Sequence, residues 1–174
     1  MRKANLGKYF EQKIESANRQ YRIQGIAAIE KQEIQTKFIN GQMIYTKKGP
    51  PDFMGVLDGG KAVIFEAKST RGKSLPLKNL DSRLHQFQFL KEAEQMGAIA
   101  FYLVEFYDLG RYFIVPVSHV SKSLKQAKQG GRKSIPLSAC SVEVYPSFDS
   151  ALDYLAPILK QGSGLHDNPN NEMV

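Results

Sequence analysis

A chain of 174 residues, 42% of them hydrophobic, is long enough for one domain with a sizeable core and short for two. No apolar run reaches the length of a bilayer span, no apolar stretch follows the basic start at Met1, and Cys140 is the only cysteine, so a membrane-spanning helix, an internal disulfide framework and a cysteine-cluster zinc site are excluded and a cytoplasmic location is expected. The formal charge is +7, and residues 162–174 hold two acids and no Lys or Arg, so the rest of the chain is more basic still and should attract a polyanion.

Leu6, Phe10, Ile14, Ala17 and Tyr21 recur at steps of three and four, which predicts an amphipathic helix with Asn5 as its cap and Gly25 as its stop. Residues 26–29 read as a short buried strand. Asn40-Gly41, between the apolar residues of segment 37–45, is a hairpin-turn signal. A second hairpin covers residues 50–69 and turns at Asp58-Gly59-Gly60. A loop with Arg71, Lys73, Pro76 and Lys78 follows. Asp81 or Ser82 can cap a helix that runs to Met96 and stops at Gly97.

Residues 98–106 and 111–117 read as two strands, and Pro116 and Ser118 lead into a basic helix that ends at Gly130-Gly131. Residues 142–145 are expected at a sheet edge. Residues 148–160 read as a terminal helix that Pro157 kinks or ends. The polar segment 162–174 is expected to be a disordered tail. The predicted fold is α/β: a central mixed sheet flanked by helices, with a short protruding hairpin, in one domain over residues 1–161.

The segment PPDFMGVLDGGKAVIFEAKS, residues 50–69, carries the chemistry. Side chains on a strand alternate, so Ala62, Ile64, Glu66 and Lys68 share one face, while Val63, Phe65 and Ala67 are free to fill a core. A three-residue turn sets Leu57 opposite Lys61 and, at constant register, Asp52 opposite Glu66. Carboxylates that close repel each other, and a divalent cation between them removes the conflict. Hard oxygen ligands suit Mg²⁺, which takes one or two carboxylates and keeps room for substrate phosphate. Lys68 adds a positive charge beside the ion, able to orient an attacking water or to stabilise charge on a phosphate. A solvated surface hairpin is the plain alternative. The preceding Pro51, the register and the basic charge favour metal-dependent phosphodiester hydrolysis.

Several segments occur in the order found in one family: NLGKYFEQKI, GVLDGGKAVIFEAKSTRGKSLPLKN, LHQFQFLKEAEQMGAIAFYLV and RYFIVP. In these the chain resembles the RecU-type Holliday junction resolvases, a branch of the PD-(D/E)xK nuclease superfamily, over most of residues 5–155. The resemblance implies the PD-(D/E)xK nuclease fold and a homodimer that binds four-way junction DNA. It also implies paired symmetric nicks, with Mg²⁺ as cofactor and Mn²⁺ able to substitute. Carried over position by position, Asp52 and Glu66 match acidic metal ligands and Lys68 the catalytic lysine. Gln86 matches a further site and metal residue, and Glu11 an N-terminal glutamate near the metal.

The chain departs from the family pattern in three places. One extra residue separates Asp52 from Glu66, Pro50-Pro51 replaces a threonine pair, and segment 37–48 is shorter than the family's projecting stalk.

Arg71, Lys73 and Lys78 leave the site on the loop after Lys68 and are expected to reach flanking phosphates. Lys37, Lys47 and Lys48 on the shortened hairpin are further DNA-binding candidates, and Lys122, Lys125, Lys128, Arg132 and Lys133 form a second basic patch. His85 is read as a helix residue near the site, and Cys140 as a small semi-buried one. Two other functions stay open at this stage. One is a non-catalytic DNA-binding modulator of recombination on the same fold; the other is a nuclease acting on flaps or plain duplex.

Overall fold

Helix α1 (Lys3–Ile23) buries Leu6, Phe10, Ile14, Ala17 and Tyr21, every residue of the predicted stripe. The structure is a computed structural model that describes residues 3–33, 36–39, 42–45, 49–78, 84–146 and 152–162, with side chains at 6–33, 49–78, 84–146 and 152–160. Because α1 already starts at Lys3, Asn5 lies inside its first turn and is not the cap. Its end matches expectation: Gly25 takes φ +70°, and the Ile26 N–H donates to the Tyr21 carbonyl at 2.9 Å, satisfying an oxygen that a helix end leaves open.

Six strands form the main sheet: β1 (Ala27–Lys31), β4 (Phe53–Leu57), β5 (Ala62–Thr70), β7 (Ile99–Phe106), β8 (Arg111–Pro116) and β10 (Val142–Val144). Their order is β1-β4-β5-β7-β8-β10, with β5 and β7 parallel and the other neighbours antiparallel. The sheet is therefore mixed, as expected. Strand β1 is not the fully buried run expected: Ala27 and Ile29 face inward while Ala28 and Glu30 are exposed, the alternation of an edge strand. It lies close to β4, where a Cβ on Gly55 would stand 2.1 Å from the Ala28 carbonyl oxygen.

The hairpin near residue 40 forms a small sheet of its own. Strands β2 (Thr36–Ile39) and β3 (Gln42–Tyr45) pair with Ile39 opposite Gln42, the register that a two-residue turn requires. Asn40-Gly41 themselves lie outside the described residues.

Two cores sandwich the sheet. On one face α1 packs over Phe53, Phe65 and Phe101, which stack in a row across β4, β5 and β7 at 5.0 and 4.9 Å between ring centroids. On the other face α2 (Leu84–Gln95) and α3 (Val117–Lys128) cover Ile64, Tyr102, Val104, Phe113 and Val115. The glycine stop after α2 is present, with Gly97 at φ +93°, whereas Asp81 and Ser82 lie outside the described residues.

Two short strands were not expected. β6 (Ser74–Pro76) and β9 (Ser134–Pro136) pair with each other and bury Leu75 and Ile135. Each is three residues ending in proline, too short to show a period.

The terminal helix α4 (Ala156–Gly162) corrects a second expectation. Pro157 lies in its first turn and neither kinks nor ends it, because the missing N–H has no intrahelical partner there. Leu152, Tyr154 and Leu155 are buried just before it. Residues 147–151, and the expected tail from 163 onward, lie outside the described residues. No helix among the described residues is long and apolar enough to cross a membrane.

Candidate active site

The hairpin that holds the site is set by its turn and by its aromatic face. Gly59 and Gly60 both take φ +84°, a conformation that L side chains rarely adopt, and the Leu57 N–H donates to the Lys61 carbonyl at 2.9 Å. From there Val56 pairs with Ala62 and Phe53 with Phe65. The stacked row Phe53–Phe65–Phe101 holds this register, since a slip of one residue would turn every ring to the wrong face. The next position along is Asp52 opposite Glu66, as the turn count predicts. Val63, Phe65 and Ala67 belong to the α1 core, and Glu66 points to the other face with Ile64 and Tyr102.

Asp52 and Glu66 are joined by a pair of crossed hydrogen bonds. The Asp52 N–H donates to Glu66 Oε2 at 3.1 Å, and the Ala67 N–H donates to Asp52 Oδ2 at 3.0 Å. Lys68 Nζ contacts the other oxygen of Glu66, Oε1. Glu66 is fully buried and Lys68 nearly so. Burial first and the Glu66 charge next raise the Asp52 carboxyl to about 6, against the opposing pull of Lys68 and of the Ala67 N–H. Tyr102, the register partner of Glu66 on β7, is held neutral well above its ordinary range by burial and by the Glu66 charge.

Gln86 reaches the same place from α2. Its Nε2 donates to the Pro50 carbonyl at 3.0 Å, two residues before Asp52, and its Oε1 is buried with no hydrogen-bond partner. A buried acceptor left unmatched is costly, so something must answer it. An amide oxygen in need of a partner, on a side chain tied two residues from Asp52, would join the Asp52 and Glu66 carboxylates in an oxygen donor set that suits a hard divalent cation. No group of three or more His, Cys, Asp or Glu side chains among the described residues is arranged to hold a metal. The fit is thus two carboxylates and one amide.

The remaining predicted residues separate. Glu11 lies on α1 and pairs with Lys31 at 2.8 Å; Glu15 shares that lysine at 3.2 Å. Lys31 is the register partner of Phe53, so this ion pair ties α1 to β1 on the α1 face of the sheet, opposite the face of Glu66 and Lys68. Arg71, Lys73 and Lys78 are exposed on the segment leaving β5. That segment is held by the Gly72 N–H to Asp108 Oδ2 at 3.1 Å, and the Arg71 guanidinium lies over the Tyr107 ring at 5.9 Å. Lys37 lies on β2, whose side chains are not described, and Lys47 and Lys48 lie outside the described residues. Lys122, Lys125 and Lys128 of α3, with Arg132 and Lys133 after it, are exposed as a second basic surface.

His85 is half-buried on α2, next to Gln86. Burial pushes the Cys140 thiol up to about 11, which leaves it unreactive. Sequence reasoning missed Tyr102 and Glu105, although both stand out as polar or ionisable members of the otherwise apolar strand IAFYLVEF.

A family model described as "RecU: Recombination protein U" matches residues 5–160. A Holliday junction resolvase RecU of Oenococcus oeni is 36% identical over 121 residues, 67% of this chain and 59% of that protein. The resolvase of the same name from Pediococcus pentosaceus is 27% identical over 174 residues, covering 93% and 85% of the two chains. That from Lactobacillus delbrueckii subsp. bulgaricus is 30% identical over 167 residues, covering 87% and 78%. Among solved structures, the Holliday junction resolvase Hjc of Archaeoglobus fulgidus aligns with a TM-score of 0.47 at 16% identity, covering 77% of this chain and 91% of that one.

Proposed function

We propose that this chain, which belongs to the Recombination protein U (RecU) family, is a metal-dependent endonuclease that resolves four-way DNA junctions by paired nicks in recombination and repair. The observation that carries the reading is the buried pairing of Asp52 with Glu66, with Lys68 on one side and the unmatched Gln86 Oε1 on the other.

In this reading Asp52, Glu66 and the Gln86 amide oxygen hold the cofactor, Mg²⁺ with Mn²⁺ as a substitute. When bound, the ion supplies charge neutralisation at the scissile phosphate. Lys68 Nζ is held against Glu66 Oε1. From there its ammonium would orient the attacking water and offset the charge that builds on the phosphate in the transition state. Gln86 also fixes the approach of the chain to Asp52 through the Pro50 carbonyl. Arg71, Lys73, Lys78 and the basic surface of α3 hold the backbone of the DNA without reading sequence. A homodimer supplies two sites related by a two-fold axis, which matches the approximate symmetry of a junction. A DNA substrate suits a cytoplasmic location.

The test is cleavage of end-labelled four-way junction, flap and linear duplex over a Mg²⁺ titration, with nick positions mapped. Symmetric nicks in the junction, lost by at least about 100-fold in Asp52→Ala and Glu66→Ala while junction binding persists, are the expected result. Junction bound and left whole at every metal concentration would make the chain a non-catalytic modulator. Equal cutting of all three substrates would make it a general nuclease.

A further inference from the structure

On the α1 face of the sheet, the level just past the catalytic strand positions is polar where the apolar core would otherwise continue. Ser69 of β5 is the register partner of Glu105 on β7, and Glu105 is the partner of Tyr112 on β8. Three adjacent strands therefore send side chains onto one face at one level.

Glu105 is 1% exposed. Its Oε2 accepts from Ser69 Oγ at 2.7 Å, and its Oε1 accepts from Lys13 Nζ at 2.9 Å. Lys13 Nζ donates as well to the Tyr112 hydroxyl at 2.8 Å and lies over the Tyr9 and Tyr112 rings, 4.8 and 5.1 Å from their centroids. A carboxylate buried this deeply is costly unless paired and hydrogen-bonded. Here its partners come from α1 and β5, with Tyr112 of β8 joined through Lys13.

None of these groups shares the face of Glu66 and Lys68. The connection runs through the backbone. Ser69 follows Lys68 directly, and the chain beyond Thr70 leaves the main sheet at Arg71. A strand end that borders an exposed loop frays unless something anchors it. Lys13 is two residues from Glu11, whose ion pair with Lys31 ties the same helix to β1.

We propose that Glu105 is a positioning residue for the endonuclease reaction. Through Ser69 it fixes the last pleat of β5 and with it the direction in which Lys68 leaves the strand. Through Lys13 it sets α1 at the same level. Directional hydrogen bonds do this where apolar packing would leave the level free to slide. The inference rests on the nuclease reading above.

Ser69→Ala tests it, because the substitution removes one hydroxyl and leaves the Lys13–Glu105 pair in place. Single-turnover cleavage of a labelled four-way junction at saturating Mg²⁺ should slow by about tenfold, the scale of a small misplacement of a reacting group. Junction affinity should stay at the wild-type value, and Tm should fall by only a few degrees, the loss of one hydrogen bond to a buried carboxylate. Amide hydrogen exchange at residues 68–70 should quicken by about tenfold while the core of β7 is unchanged. Ser69→Thr, which keeps a hydroxyl, should restore both rate and protection.

Wild-type cutting by Ser69→Ala, or a loss of rate that Ser69→Thr does not recover, overturns the inference and leaves the nuclease reading intact. Exchange that quickens through the core of β7 as much as at residues 68–70 overturns it too, as plain destabilisation. A wild-type chain that never cuts overturns the nuclease reading and this inference with it.

Discussion

The backbone N–H of Asp52 donates to the Glu66 carboxylate at 3.1 Å, while the Asp52 carboxylate accepts from the N–H of Ala67, the residue after Glu66. Each acid is thus held by the strand that carries the other. The two groups are fixed before any cation arrives, and their mutual repulsion is part of the folded state. That relationship has a cost in stability with a definite sign.

The Asp52 carboxyl is raised from an ordinary value of 3.8 to about 6, chiefly by burial and next by Glu66. A raised folded value means that the folded state binds more protons than the unfolded one between those two pH values. Stability without metal therefore falls as pH rises through that window, and the penalty is complete above about pH 6. Asp52→Asn removes it. In EDTA the variant should exceed the wild type by about 1–2 kcal/mol at pH 8, roughly 3–6 °C in Tm, and should match it near pH 3.5. Thermal melts at the two pH values check this; an equal difference at both would dissociate the stability effect from Asp52 ionisation.

Gln86 gives a second prediction. Gln86→Leu keeps the volume, and loses both the Pro50 hydrogen bond and the amide oxygen. The Mg²⁺ concentration for half-maximal cleavage should rise by about tenfold, with Tm in EDTA little changed because an unmatched buried oxygen leaves with the side chain. A metal requirement identical to wild type would show that Gln86 only braces the chain.

Gly55 carries the tightest backbone approach in the site hairpin. A Cβ there would lie 2.1 Å from the Ala28 oxygen and 2.5 Å from the Ile29 Cα, and both atoms are backbone that cannot swing aside. Gly55→Ala should cost about 3 kcal/mol or more, read from urea unfolding, by forcing β1 away from β4. A near-neutral result would mean that β1 moves freely as an edge.

The loop cations can be counted by salt. Arg71→Ala and Lys73→Ala should each make the slope of log affinity against log salt shallower by about 1, measured on junction DNA in EDTA so that no strand is cut. A slope that holds steady in either variant would assign that side chain to solvent.

Much of the site was legible because its geometry depends on a short-range count. Two glycines fix the turn, alternation fixes the faces, and Asp52 meets Glu66 by arithmetic. The stripe of α1 was legible for the same reason, as one period repeated over five buried residues. Glu105 and Lys13 were not, because they lie 92 residues apart and no local pattern couples them. The pair β6 and β9 escaped for lack of length, and Pro157 because a proline marks a helix start as readily as a stop. Gln86 was named from family likeness alone; its link to the Pro50 carbonyl crosses from α2 to the hairpin and has no sequence signal.

The Asp58-Gly59-Gly60 turn, with its two left-handed glycines, lies at the far end of the hairpin from Asp52 and Glu66. Between them the Phe53–Phe65 stack sets the pairing on its own account. A tip of this kind can gain or lose a residue over evolutionary time without disturbing the acids, provided that the rings keep their match. The chemistry is buffered against variation in the very segment that first brings its two halves together.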